Sequence, residues 1–138
     1  MAFTGNYTCN TFKLGLASAD FDFATGTTDV FKIALYTNAA TLDASTSAYT
    51  TDGEVVETGY TAGGEILTPS VSISDGVSFI DFGDVSWSGA FTARGALIYK
   101  DGGAAICVLD FGADRTSTST FQVQFPANTN SSALIRIS

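Results

Sequence analysis

The sequence predicts an all-β fold, a single-domain antiparallel β-sandwich with jelly-roll-like character. Three observations support this: apolar and polar residues alternate along short segments, glycine-containing turn pairs separate those segments, and no amphipathic pattern extends over three helical turns. A chain of 138 residues is the size of one domain. We expect residues 12–138 to form the sandwich. Residues 1–11 are expected to form an N-terminal arm, because Gly5, Asn6 and Asn10 interrupt any strand pattern.

Alternation with a period of two gives the main predicted strands, which are 31–35, 71–74, 91–100, 121–125 and 133–137. Shorter apolar stretches predict further strands at 12–16, 53–57, 65–68 and 85–87. The half of segment 91–100 nearest Lys100 is apolar on both faces, which predicts a central strand covered on both sides. One short turn of helix is the most that the pattern allows, at 38–44.

Two hairpins are indicated by their turn residues. Asp75-Gly76 joins segment 71–74 to segment 77–80, and an Asp-Gly pair between alternating segments is a strong hairpin marker. Asp101-Gly102-Gly103 joins segment 96–100 to segment 104–109 in the same way. Both turns need a positive φ, which glycine adopts without steric cost.

The composition excludes several classes of function. The net charge is −8, so the surface repels phosphate backbones and we expect no nucleic-acid partner. The longest apolar runs fall far short of the ~18 residues that a membrane-spanning helix needs, so we expect no membrane partner. The chain has no histidine, which removes the commonest general base and metal ligand. We therefore expect no cofactor, no metal and no catalytic residue.

Two carboxylate pairs are candidate sites. Asp20 with Asp22, or Asp81 with Asp84, could serve glycoside hydrolysis, but any acidic protein offers such pairs and a glycosidase needs a deep cleft that a chain of this length rarely builds. Asp20 with Asp22 could also bind calcium, but no EF-hand loop follows, and a solvated strand face accounts for this pair better. Asp-Phe-Gly occurs twice, at 81–83 and 110–112. We interpret both copies as strand ends with a turn and a glycine at positive φ.

The two cysteines, Cys9 and Cys107, can be interpreted without a disulfide. Cys107 lies in an apolar run and is predicted to be a buried small hydrophobe. The spacing of the two residues allows a disulfide but does not require one. The first eight residues lack the basic and apolar regions of a secretory signal peptide, so we expect no secretory signal and a protein made in the cytoplasm.

Five aromatic residues are candidates for an interface, because exposed Trp and Tyr often anchor interfaces or stack on sugars. These residues are Trp87, Tyr60, Tyr49, Tyr7 and Phe3. For Trp87 the alternative is a core position between two sheets, and the sequence leaves both open.

The predicted strands carry few charges, and hydroxyl residues replace the Lys and Glu of an ordinary soluble protein. Monomers usually protect their edge strands with Lys or Pro. This composition favours a subunit packed into an assembly, and we expect a homo-oligomer, a dimer or a trimer.

Blocks of residues along most of the chain resemble a known family. They are 31–37 (Phe-Lys-Ile-Ala-Leu-Tyr-Thr), 53–55 (Gly-Glu-Val), 58–64 (Thr-Gly-Tyr-Thr-Ala-Gly-Gly), 82–88 (Phe-Gly-Asp-Val-Ser-Trp-Ser), 92–99 (Thr-Ala-Arg-Gly-Ala-Leu-Ile-Tyr), 108–112 (Val-Leu-Asp-Phe-Gly) and 121–126 (Phe-Gln-Val-Gln-Phe-Pro). In their order and spacing these blocks resemble small virion proteins of tailed bacteriophages, similar to head decoration or cement proteins. The resemblance implies a jelly-roll-like fold, no catalytic residues, and the major capsid protein or other virion proteins as partners.

The sequence thus leads to one expected function and two alternatives. The expected function is a non-enzymatic structural protein on the outer capsid surface of a phage particle, where it bridges and stabilises capsomers. The first alternative is a neck, tail or fibre component of the same virion. The second is a carbohydrate-binding module that uses Trp87 and the tyrosines to stack on host glycans.

Overall fold

A computed structural model of the chain describes residues 3–24 and 28–137. Within these ranges it has ten strands and one helix, with the following bounds: β1 Tyr7–Thr8, α1 Asn10–Ala17, β2 Phe31–Tyr36, β3 Glu65–Leu67, β4 Pro69–Ser74, β5 Val77–Phe82, β6 Val85–Ser88, β7 Thr92–Lys100, β8 Ala105–Thr116, β9 Thr120–Val123 and β10 Ile135–Ile137. The all-β prediction is confirmed.

The strands form three antiparallel sheets. The largest has five strands in the order β1-β8-β7-β2-β3, the second has three in the order β10-β5-β4, and the third pairs β6 with β9. The predicted central strand is confirmed, because β7 lies between β2 and β8 and its residues 95–99 are buried. The arrangement is sandwich-like, and the jelly-roll connectivity stays a prediction.

Two apolar clusters cover the two faces of the five-stranded sheet. On one face, residues such as Ile33 and Ile98 pack with Phe82, Trp87 and Phe121 of the two smaller sheets. The other face has no second sheet among the described residues. Its apolar side chains, of which Leu97 and Val108 are examples, pack with residues of the N-terminal segment and of the irregular segment 37–49. Both faces of the sheet are therefore removed from water, which is the main stabilising term.

Both predicted hairpins are confirmed. Asp75 and Gly76 have φ values of 52° and 78°, the pair of positive values that a tight two-residue hairpin turn requires. Gly102 has a φ of 74° in the turn between β7 and β8. The two Asp-Phe-Gly triplets differ from each other. Gly112 has a φ of 82° and donates its N–H to Asp110 Oδ1 at 2.8 Å, which confirms the predicted turn, but β8 continues to Thr116, so the predicted strand end is wrong there. At 81–83 the strand end is confirmed, because β5 ends at Phe82, whereas the predicted positive φ of Gly83 is wrong.

The predicted strand at 12–16 is wrong, because this segment belongs to helix α1. Phe12, Leu14 and Leu16 alternate as in a strand, but the buried positions of the helix are Phe12 and Gly15, three residues apart. Gly15 lies against the Phe21 ring, where a Cβ atom would come within 2.2 Å of a ring carbon. The predicted strand at 53–57 is also wrong, because these residues contribute a single isolated bridge at Glu54. Segment 38–44 contains no helical turn, which is within the limit set by its sequence pattern.

The predicted N-terminal arm is also wrong for residues 3–11, the part of it that the structure describes. Phe3 is only 4% exposed, and β1 pairs with β8 through Tyr7 and Thr8. The Phe3 ring lies over Gly95 of β7, where a Cβ atom would come within 2.5 Å of it. Asn6 Oδ1 accepts the backbone N–H of Asp110 at 2.6 Å. The segment is therefore an edge of the sheet and part of its cover.

Because Phe3 is buried over the central strand, Phe3→Ala should leave a cavity and lower the free energy of unfolding by about 3 kcal/mol. For a domain of this size that corresponds to a fall of roughly 10 °C in melting temperature. Thermal unfolding monitored by circular dichroism measures this. Thr4→Ala, at an exposed neighbouring position, is the control. An unchanged melting temperature for Phe3→Ala would mean that residues 3–11 form an arm that does not contribute to the core.

Candidate functional site

The structure separates the five aromatic candidates into two groups. Phe3, Tyr60 and Trp87 are buried in the core, so none of them is a surface anchor. Trp87 packs against Tyr60 and Phe121, with ring centroids 6.1 and 6.3 Å away, which is the core position that the sequence left open. Tyr7 and Tyr49 are half-buried and pack at the edge of the second cluster. The five residues do not form one surface.

A buried carboxylate that the sequence analysis did not single out lies at the centre of a hydrogen-bond network. Glu54 is 6% exposed, and its two carboxylate oxygens accept three hydrogen bonds. The Tyr49 hydroxyl donates to Oε1 at 2.7 Å. The Tyr60 hydroxyl and the backbone N–H of Gly63 donate to Oε2 at 2.6 and 2.8 Å. These donors satisfy a charge that would otherwise be costly to bury.

The network extends from Glu54 to the five-stranded sheet. The Tyr60 hydroxyl accepts the backbone N–H of Leu35 in β2 at 2.9 Å, and the Tyr99 hydroxyl of β7 donates to the Gly63 carbonyl at 2.7 Å. Gly63 and Gly64 both have positive φ, and a Cβ on Gly64 would come within 1.8 Å of the Ile33 carbonyl oxygen. The irregular segment before β3 is thus tied to both β2 and β7.

The tyrosines of this network are held in their protonated, donating form. Burial, followed by the hydrogen bond to Glu54, raises the pKa of Tyr49 to about 12. The same two causes, in the same order, raise the pKa of Tyr60 well above its ordinary value. Neither hydroxyl can act as a base near neutral pH. The arrangement stabilises the fold by linking the segment to the sheet. A sequence search for paired carboxylates does not find it, because the partners of Glu54 are tyrosine hydroxyls.

The loop that follows Glu54 has one exposed apolar side chain between two buried residues. Val55 and Tyr60 are buried, whereas Val56 between them is 87% exposed, the most exposed large apolar side chain in the described ranges. Shallow grooves with volumes of about 520 and 460 Å³ lie on either side of this loop. We call the exposed Val56 side chain the apolar tip.

A second buried carboxylate lies on β5. Asp81 is 2% exposed, and its Oδ1 accepts the backbone N–H of Phe82 at 2.9 Å. Its Oδ2 has no hydrogen-bond partner among the described residues. Burial raises the pKa of Asp81 above its usual range, against the lowering effect of the Phe82 and Leu134 N–H groups, and the charge of Asp84 raises it further. This carboxylate destabilises the folded state when it is ionised.

The other carboxylate hypotheses are not supported by the geometry. Asp22 Oδ1 accepts the N–H of Ala24 at 2.9 Å, and the Asp20 carbonyl accepts a hydrogen bond from Lys100 at 2.6 Å. Within residues 3–24 and 28–137 no three Cys, Asp or Glu side chains come together as a metal-binding group. No helix in the same ranges is long and apolar enough to cross a membrane.

Both cysteines are buried free thiols. Cys9 belongs to the cluster on one face of the five-stranded sheet and Cys107 to the cluster on the other face, which explains why they form no disulfide. Burial raises the pKa of the Cys9 thiol to about 11, with a smaller contribution from Asp43, and burial also raises the pKa of Cys107. The predicted burial of Cys107 is confirmed.

Comparisons of the chain with protein-family models, with curated proteins and with solved structures found no match.

Glu54→Gln should lower the free energy of unfolding by about 2 kcal/mol, because an amide has one acceptor oxygen in place of two and loses the charge-assisted bonds. Urea unfolding measures this loss. Glu57→Gln is the matched control, since Glu57 is exposed three residues away in the same segment. Equal midpoints for the two variants would show that the network does not stabilise the fold.

Asp81→Asn should stabilise the protein at neutral pH by about 1 kcal/mol, because it removes a buried charge but keeps an oxygen to accept the Phe82 N–H. Because the folded-state pKa of Asp81 is raised above its ordinary value of 3.8, wild-type stability falls as the pH rises through that raised value. The gain from Asp81→Asn should therefore disappear below about pH 4. Melting temperatures across the pH range test this, with exposed Asp52→Asn as the control. A pH-independent difference would contradict it.

Proposed function

We propose that the chain is a non-enzymatic structural subunit of a tailed-bacteriophage particle, a head decoration or cement protein on the outer capsid surface. Its partners in this proposal are the major capsid protein or other virion proteins. The observation that carries the proposal is the apolar tip, an exposed valine on an otherwise polar loop whose residues Val55 and Tyr60 are buried in the core. The resemblance of the sequence blocks to small phage virion proteins supports the same role.

The apolar tip has the properties of an insertion contact. Val56 is exposed, while its neighbour Val55 is buried and Tyr60 is fixed by Glu54 and by the Leu35 N–H. A side chain that is already ordered loses little conformational entropy when it binds. Burying a valine contributes about 1.5 kcal/mol or more from its apolar area. Each further copy that binds the shell adds the same contribution to the stability of the whole shell.

The acidic charge of the chain favours an outer position in this proposal. A net charge of −8 would be repelled by packaged DNA on the inner side of a shell. A subunit that bridges two capsomers binds only the assembled state, so it stabilises that state by mass action. Stabilisation of the shell then needs no chemistry at the bridging subunit.

The structure bears differently on the two alternative functions. A place in the neck, tail or fibre uses the same kind of contact and remains the alternative within the particle. A carbohydrate-binding role depended on Trp87 and the tyrosines as stacking platforms. Trp87 and Tyr60 are buried, and Tyr7 and Tyr49 are half-buried against the second cluster. We therefore do not propose the carbohydrate role.

Retention of the protein on particles should survive 1 M NaCl, where the Debye length is about 3 Å, because apolar burial is not screened by salt. Val56→Asp should reduce retention at least tenfold, since it places an unpaired charge in an apolar contact. Pelleting of particles after incubation with purified protein, at low and high salt, measures both effects.

Thr58→Asp is the matched control, because it adds the same charge to an exposed position of the same loop. It should bind nearly as well as the wild type. Loss of the wild-type protein in molar salt would mean that attachment is electrostatic. Equal binding of the two variants would mean that the apolar tip is not the contact.

A further inference from the structure

Strand β4 is an unprotected edge of the three-stranded sheet. Its sequence alternates as Pro-Ser-Val-Ser-Ile-Ser, and the described residues place no strand beyond it. Val71 and Ile73 project from the same face of the strand and are 48% and 75% exposed. Monomeric proteins usually protect such an edge with charged residues, but residues 66–74 contain none.

The hairpin fixes which backbone groups of β4 are free to pair. Ser74 and Val77 flank the two-residue turn and therefore form a hydrogen-bonded pair. Backbone groups along β4 then alternate in direction, so the N–H and C=O groups of Val71 and Ile73 point away from β5. Pro69 has no N–H and offers only its carbonyl on that edge. Outside the pairing with β5, no backbone hydrogen bond joins these three residues to another described residue.

We propose that two copies of this chain pair through β4, antiparallel, about a twofold axis at Ser72. In this register Val71 of one copy lies opposite Ile73 of the other, and each such pair exchanges two backbone hydrogen bonds. The axis repeats the pair, which gives four hydrogen bonds. The two three-stranded sheets then join into one sheet of six strands. This inference names the partner surface of the homo-oligomer that we expect for the proposed particle subunit.

The side chains are self-complementary in this register. Apolar Val71 meets Ile73 on one face of the joined sheet. On the other face Ser70 lies opposite Ser74, and the Ser70 hydroxyl accepts a hydrogen bond from the Asn128 side-chain amide of its own copy at 2.9 Å. A shift of the register by one residue would place Val71 opposite a serine of the other copy. Ile73 of each copy would then have no apolar partner. An isologous contact requires such a self-matching pattern, whereas a foreign strand does not.

The absence of charge on β4 allows a second copy of this acidic chain to approach this edge. Two chains with a net charge of −8 repel each other, so they associate best where neither brings a carboxylate. Asp75, at the turn next to β4, has its carboxylate occupied by the Asn130 side-chain amide at 3.1 Å. In the register proposed, Asp75 lies opposite Pro69, which carries no charge.

Cysteine substitution tests the register directly. Ser72 residues of the two copies form a non-hydrogen-bonded pair with a Cα separation of about 4.5 Å, within the range that a disulfide spans. Ser72→Cys should therefore cross-link to a dimer under mild oxidation. Ser74→Cys is the matched control on the same exposed face. Its two copies would lie about 14 Å apart, four residue spacings along the strands, and should not cross-link. The native thiols are buried and do not interfere.

Sedimentation equilibrium of the purified chain tests the interaction without cross-linking. The wild type should dimerise, and Ile73→Lys should raise the dimer dissociation constant at least tenfold. Ile66→Lys is the control, because Ile66 is a similarly exposed isoleucine on β3, outside the pairing. A wild-type monomer at all concentrations up to about 1 mM, equal cross-linking of the two cysteine variants, or an Ile73→Lys dimer of undiminished affinity would each overturn the inference.

Particle binding separates this inference from the proposed function. A purified monomer that still pellets with phage particles would refute β4 pairing and leave the particle role standing, and β4 would then be open to a strand of another virion protein. A dimer with the predicted cross-link that does not pellet with particles would support β4 pairing and count against the particle role.

Discussion

The structure depends on a sheet that is apolar on both faces. Strand β7 is central and buried on both sides, so each face of the sheet needs a cover that excludes water. The two smaller sheets exclude it from one face. On the other face the described residues contain no sheet, and the cover is made of irregular chain and the N-terminal segment. Irregular chain has many backbone polar groups and few ways to satisfy them, so its attachment needs specific hydrogen bonds.

Glu54 is the centre of that attachment. Segment 37–64 contains no strand of more than one residue. Backbone hydrogen bonds tie it to β2 and β8, from the Val55 N–H to the Leu35 carbonyl at 3.0 Å and from the Ala105 N–H to the Ser47 carbonyl at 2.9 Å. The Glu54 carboxylate adds hydrogen bonds from Tyr49, Tyr60 and Gly63. Both phenols also pack in the apolar clusters, so each contributes apolar contact and a hydrogen bond together. A polar residue in this position specifies one path for the segment. Apolar packing alone would allow several.

Local features were predictable from the sequence and non-local ones were not. The β4–β5 hairpin follows from Asp75-Gly76, because the turn geometry depends on those two residues alone. Helix α1 was missed because Phe12 and its apolar neighbours also alternate with a period of two. The burial of Phe3 depends on a glycine more than ninety residues later, which no local pattern reveals. The same holds for Trp87, whose place in the core depends on strands that pair far apart in the chain. The exposed tip at Val56 depends on the irregular path around it.

The positions of the two thiols determine how the chain responds to its surroundings. Cys9 and Cys107 lie under opposite faces of one sheet, and neither thiol is accessible to a small oxidant without local opening. The covalent structure of the chain is thus the same in a reducing cell interior and in an oxidising medium outside it. A protein built in this way can pass from one environment to the other with no disulfide to form, break or rearrange.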